Sequence, residues 1–174
     1  MQHQGDGRYL AMSRRTALTQ AFWQEFMPEP GIPYDVVAFG DGPAMATELA
    51  ALVVEGMKRA TVSLLRDYAD GKAPPRVGDF AVVVDGSGRP CCIFRTTEVR
   101  IGPLMTVDER FAWDEGEGER TRAWWLEAHR RYFGRQARRE GFEMRDDIET
   151  VFERFEVVWP LSIADRGRSA GDGS

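Results

Sequence analysis

The sequence predicts an α+β domain, a small β-barrel or curled mixed sheet with flanking helices. Two stretches of helical apolar spacing come first, and from Lys72 onward the texture changes to strands. The order helix, helix, strands, helix, strand lacks the regular alternation of a doubly wound parallel sheet. A chain of 174 residues is long enough to bury one core.

Leu18, Ala21, Phe22 and Phe26 recur at helical spacing, with Ser13 or Thr16 as N-cap and a stop before Pro28. PEPGIP is a loop, and YDVVAFG is a short extended piece. Asp41-Gly42-Pro43 opens a second helix with the stripe Ala46, Leu49, Ala50, Val53 and Met57, and Gly56 is its stop. KAPPRVGD is a turn entering the strand FAVVVD, and Asp85-Gly86-Ser87-Gly88 is a hairpin signal before the strand CCIFRTTEVRI. A helical stretch from Val107 to Phe111, a loop WDEGEGE and a helix from Arg120 to Ala137 follow. On that last helix Trp125, with Ala128 and Tyr132, is expected in the core. The strand VFERFEVVWP closes the domain, with Phe155, Val157 and Trp159 expected on one side. Residues 1–12 read as a flexible arm, 13–162 as the domain with an N-terminal helical extension, and 163–174 as a flexible tail.

No apolar run is long enough for a membrane span, which needs about 18 residues or more. The N-terminus has no apolar stretch fit for a signal peptide, so a cytoplasmic location is expected. Cys91 and Cys92 are adjacent and point to opposite faces of a strand, one thiol in the core and one at the surface. The net charge of −5 argues against indiscriminate coating of nucleic acid. One basic concentration stands out, seven arginines between Glu119 and Arg139.

Three segments carry the chemistry: Gly56-Met57-Lys58-Arg59-Ala60-Thr61, Val77-Gly78-Asp79, and the acidic stretch Asp114-Glu115-Gly116-Glu117-Gly118-Glu119 with Trp124, Trp125 and His129 downstream. A lysine and a threonine three apart in a turn after a helix face one cleft. A desolvated lysine serves as a base if it loses its proton, or holds a phosphate if it keeps it. A carboxylate from another loop orients it. No phosphate-binding loop, nucleophile elbow or zincin motif is present, and the acidic stretch lacks the calcium-loop pattern, so no metal and no cofactor is expected.

Together these segments resemble the ASCH domain family. Gly56, Lys58 and Thr61 match its G-x-K-x-x-T signature, Val77-Gly78-Asp79 its V-G-D element, and the EGEGE stretch its longer bacterial branch. The resemblance spans about residues 34 to 160 and implies a PUA-like barrel whose cleft faces RNA or a modified nucleoside or nucleotide. Family members that hydrolyse N4-acetylcytidine use a lysine, a threonine and a glutamate, and the matching positions are Lys58, Thr61 and Glu115. Other members of the longer branch are similar in cleaving RNA without a metal. Three functions are therefore expected of the resemblance: a metal-independent ribonuclease, an N4-acetylcytidine amidohydrolase, or a non-catalytic RNA- or nucleotide-binding module. Arg59, Ser63, Trp113, Glu117, Arg120, Trp124 and His129 are the expected substrate-side residues, and Trp113 or Trp124 would stack a base. Ser63 departs from the acetylcytidine-acting members, which have an arginine there. The sequence points to no membrane and to no protein partner.

Overall fold

The computed structural model describes residues 10–12 and 15–165. Six strands form one sheet in the order β1-β2-β4-β5-β6-β3, curled into a half-barrel. The strands are β1 (Leu10–Met12), β2 (Asp35–Phe39), β3 (Ala60–Leu64), β4 (Phe80–Val84), β5 (Pro90–Pro103) and β6 (Glu149–Trp159). The helices are α1 (Ala17–Phe26), α2 (Pro43–Val54), α3 (Glu109–Glu115) and α4 (Arg122–Glu140). Strands β2 and β4 run parallel and the other neighbours are antiparallel, giving the mixed sheet.

Each helix covers a different part of the sheet. Leu49, Ala50 and Val53 of α2 pack on one side of the sheet with Phe39, Phe94 and Phe155. Trp23 of α1 packs on the opposite side and stacks on Tyr34 at 4.5 Å between ring centroids. Trp125 and Phe133 of α4, with Phe111 of α3, cover Ala60, Val62 and Leu64 of β3. Strand β3 is buried on both faces, so Thr61 and Ser63 face inward, away from that apolar cluster.

Several boundaries differ from the sequence expectation. Leu10–Met12, read as part of an arm, pairs with β2 as an edge strand, from Leu10 opposite Phe39 to Met12 opposite Val37. Residues 1–9 of that arm and 166–174 of the tail lie outside the described residues. Within the tail, Ile163 packs against the core, and the Asp165 N–H donates to the Val157 carbonyl at 2.8 Å. Leu18 is 62% exposed, because Thr19 and Trp23 turn inward in its place. Met57, placed on the α2 stripe, lies beyond the helix and is exposed. Trp159 leaves the side shared by Phe155 and Val157 and joins the α1 cluster. The cause is a bulge: Ile93 pairs with Trp159 but Phe94 with Val157, so one residue of β6 is extra and the alternation changes phase. Helix α3 begins later and runs further than expected, because Asp108 caps its start and Gly116, at φ 73°, ends it. Trp113, Asp114 and Glu115 are therefore helical rather than part of a loop. Thr121 caps α4, which begins at Arg122 and runs to Glu140.

Candidate functional site

The first site is built where α2 ends. Gly56 at φ 88° reverses the chain, and the N–H groups of Met57 and Lys58 both donate to the Leu52 carbonyl, at 3.0 and 3.1 Å. The reversal is stitched on both sides. Arg59 N–H donates to the Asp114 carbonyl at 2.7 Å, and Phe155 N–H to the Arg59 carbonyl at 3.1 Å. Lys58 is thereby turned into the interior, where its side chain is fully buried.

Its ammonium donates to Glu115 Oε2 at 2.6 Å and to Glu117 Oε1 at 3.4 Å, and lies 5.3 Å from the Phe39 ring centroid. Burial alone would strip a lysine of its proton, but the two carboxylates outweigh it and the pKa is raised. In this arrangement Lys58 is held as an ammonium by the two carboxylates. The titrating partner is Glu115, fully buried and pushed up to about 7 by that burial and by Glu117 against the pull of Lys58. Its Oε1 faces His129 Nε2 at 3.6 Å, too far for a hydrogen bond, and the nearby Trp125 indole pulls the carboxyl pKa down. His129 Nδ1 lies 2.8 Å from the Trp125 carbonyl, an acceptor, which assigns the proton to Nδ1 and leaves the Nε2 lone pair toward Glu115. Burial holds this imidazole down at about 4, so it is neutral. One atom each of Glu115, Glu117 and His129 lies within 4.8 Å of the others, a spacing that suits a metal, and Lys58 already sits against both carboxylates as a cation.

The glycines of EGEGE make this packing possible. A Cβ on Gly116 would lie 2.3 Å from the Met57 carbonyl oxygen, and one on Gly118 would lie 2.1 Å from the Trp124 ring. Both backbones are left-handed, a conformation that glycine adopts without strain. Glu117 and His129 reach from the cluster into a groove of about 390 Å³ between α2 and α4, with Trp124, Arg131 and Arg135 on its walls.

The second site is a cleft of about 260 Å³ in the concave side of the sheet. Val37, Phe80 and Phe94 give it apolar walls, and Ser63, Tyr68 and Thr96 give it hydroxyls. Four carboxylates line it (Asp35, Asp67, Asp79 and Glu153) against one ammonium, Lys72. Glu153 is buried and accepts from Thr96 Oγ1 at 2.7 Å. Burial, then Asp79 and Asp35, push its carboxyl up to about 7. Asp67 is raised to about 6 by burial, against the hydrogen bond from Gln136, and Asp35 is raised by burial and by Asp79. Tyr68 and Ser63 share a hydrogen bond of 2.7 Å. The V-G-D turn supports Thr96 from both sides: Gly78 N–H donates to the Thr96 carbonyl at 2.9 Å, and Thr96 N–H to the Asp79 carbonyl at 2.8 Å.

The residues singled out in the sequence divide between these places. Lys58 and Glu115 meet. Thr61 does not bond to either; it stands opposite Glu153 in the β3–β6 register, and its buried Oγ1 has no hydrogen-bond partner. Ser63 lines the cleft, whereas Glu117, Trp124 and His129 line the groove. Arg59 turns elsewhere, to Asp165 at 2.7 Å and to the Val53 carbonyl at 2.7 Å. Trp113 is 57% exposed, with the Arg120 guanidinium 3.8 Å above its ring. The arginines of α4 are partly neutralised, Arg130 by Asp146, Arg131 by Glu127 and Arg135 by Asp41. Sequence reasoning missed Glu153, Thr96, Asp35, Asp67 and Tyr68. The available signal was the polar alternation of Thr61 and Ser63 in β3, which marks a polar interior that its partner strand must match.

A sequence model of the ASCH domain matches residues 35–159. A crystal structure of an ASCH domain from Lactobacillus crispatus is 34% identical, covers 82% of this chain and 94% of its own, and has a TM-score of 0.74. A crystal structure of a protein from Enterococcus faecalis is 35% identical, covers 80% and 86%, and has a TM-score of 0.73. No curated protein matches the chain. The chain belongs to the ASCH domain family, whose PUA-like domains are generally RNA-binding.

Proposed function

We propose that this ASCH domain binds one nucleobase at a time, presented by RNA or carried by a free modified nucleoside, in the cleft above Glu153. The observation that carries this is the cleft itself, about 260 Å³, with Phe80 and Phe94 on its walls and carboxylates within. The volume is just below that of sites for drug-sized ligands, which suits a base or a nucleoside. The sign of the charge keeps a phosphodiester outside, so an RNA would insert a base and leave its backbone at the rim. No helix of the described residues is long and apolar enough to cross a membrane.

The test is titration of the chain with nucleosides and with short single-stranded RNA over a range of salt. Nucleosides are expected to bind with little salt dependence. Nucleosides that fail to bind, together with RNA binding of steep salt slope, would overturn the cleft as the site, because counterion release marks phosphate contacts.

A hydrolytic function is favoured by Thr61, whose unpaired hydroxyl shares the inward face of β3 with Ser63, and by Glu115, which titrates near neutrality. Of the two hydrolase alternatives, removal of acetate from N4-acetylcytidine fits the acidic cleft better than RNA cleavage. Lys58 is enclosed by Glu115 and Glu117, and no phosphate oxygen reaches its ammonium while both stay in place. Chromatography would show cytidine and acetate if that hydrolysis occurs. Unchanged N4-acetylcytidine beside fragmented RNA would reverse the order of the two alternatives.

A further inference from the structure

The floor of the cleft has more order than simple base binding needs. Glu153 reaches it from β6, and among the described residues Thr96 is the one donor to its carboxyl. That bond fixes Oε1, while among the described residues none donates a hydrogen bond to Oε2. Thr96 is itself held by the Gly78–Asp79 turn, so the carboxyl group is oriented by backbone on one side and presented on the other.

The charged neighbours come from every element around it: Asp35 from β2, Asp79 from the turn before β4, Asp67 from the short 3-10 turn Leu65–Tyr68, and Lys72 beyond that turn. Their sum is negative. A carboxyl group in such surroundings keeps its proton to higher pH, and a base nitrogen that takes a share of that proton is attracted by every remaining carboxylate. The same surroundings repel a ligand edge that offers only oxygen lone pairs.

Bases differ in whether they accept that proton. Cytosine and adenine present an exocyclic amine beside an unprotonated ring nitrogen. Facing a carboxyl group, that edge makes two parallel hydrogen bonds, N–H to one oxygen and O–H to the ring nitrogen. If the proton crosses, the pair becomes a carboxylate and a cationic base with the same two bonds, now charge-assisted. Uracil and hypoxanthine also meet a neutral carboxyl with two bonds, but their edge is an N–H beside a carbonyl, with no basic nitrogen to take the charge.

We infer that Glu153 is a specificity-determining residue of the cleft, selecting bases that carry an amine beside a basic ring nitrogen over bases with an N–H and carbonyl edge. The selection rests on the base-binding function proposed above. It deepens it by naming the class of base and the group that reads it. Burial, which raises the Glu153 carboxyl to about 7, supplies the proton under near-neutral conditions.

Calorimetric titration of the full chain with cytidine, uridine, adenosine and inosine at pH 6.5 tests this. Cytidine is expected to bind at least about tenfold more tightly than uridine, and adenosine than inosine, since a charge-assisted pair exceeds a neutral one by that order. Glu153→Gln keeps both hydrogen-bonding directions and the shape but has no transferable proton. Binding should persist while the preference falls to within about threefold, half a decade on the same scale. Glu153→Leu should abolish both, and circular dichroism shows whether each variant is folded. Equal affinity for cytidine and uridine in the native chain, or a preference unchanged in Glu153→Gln, overturns the selection and leaves base binding standing. Failure of all four nucleosides to bind removes the base-binding function and this inference with it.

Discussion

The Lys58 cluster and the Glu153 cleft are both polar and both enclosed, yet they treat charge in opposite ways. Around Lys58 the protein supplies the counter-charge itself, with one carboxylate at 2.6 Å and a second at 3.4 Å. Around Glu153 it assembles acids against a single lysine and leaves the carboxyl with one hydroxyl donor. The first arrangement is electrostatically complete and holds α2, α3 and the EGEGE loop together. The second leaves an excess of acid facing the cleft. Two buried carboxyls are both raised to about 7, chiefly by burial: Glu115 against the pull of the Lys58 ammonium, Glu153 against the Thr96 hydrogen bond.

The largest expected effect breaks the complete side. Lys58→Met leaves Glu115 and Glu117 without their cation and should lower unfolding stability by roughly 3–5 kcal/mol, as removal of one partner of a buried pair does. Adding Glu115→Gln should recover part of the loss. Denaturant unfolding measures both, and a loss below about 1 kcal/mol, the size of a surface pair, would erase the contrast.

A smaller effect sharpens the acidic side. The Glu153 carboxyl, usually at 4.5, is raised to about 7 in the fold. Its contribution to stability is present below 4.5 and is lost as pH rises through 7. Glu153→Gln should therefore gain stability relative to the native chain at pH 8, and little at pH 5, a difference on the order of 3 kcal/mol at most. His129 acts in the opposite sense. Held down to about 4, it contributes above its usual 6.5, and that contribution is lost as pH falls through 4. Comparing variant with native chain at each pH cancels His129 and Glu115. Equal differences at pH 5 and pH 8 would show that Glu153 is not the titrating acid.

The smallest effect lies outside both regions. Trp113→Ala removes an exposed ring that stacks under Arg120 and should change stability by no more than about 0.5 kcal/mol. A loss of several times that in thermal unfolding would mean that the Trp113–Arg120 stack supports the Lys58 turn, which its neighbour Asp114 holds.

These two regions also differ in how far the sequence revealed them. The Lys58 side was legible, because its parts are punctuated: a glycine after a helix stripe at Gly56, and glycines alternating with acids at Gly116 and Gly118. Local rules place such glycines at chain reversals, and the pairing of Lys58 with Glu115 came from the resemblance to the ASCH family. The Glu153 side was hidden in strands. Glu153 lies in FERFE, where a pair of charged residues stands between two aromatics and no strict alternation marks which face is inward. The bulges between Thr96 and Glu98 and after Ile93 decide which of those residues face inward. The curl of the sheet, which brings Asp35 and Asp79 into one cleft with Glu153, depends on pairings distant in sequence. Thr61 shows the boundary between the two: its strand was legible, but that it would face Glu153 rather than Lys58 followed from the register alone.

Asp165 has a wider consequence. Its carboxylate accepts from Arg59 and from the Val157 N–H, and its own N–H donates to Val157. The last described residue is thus riveted to the same turn that carries Lys58. Shortening the chain to the end of β6 would release Arg59 and loosen the backbone on which the buried ammonium depends. A trimmed version of this domain is a perturbed one, and any change in its behaviour would report on the lysine turn as much as on the missing tail.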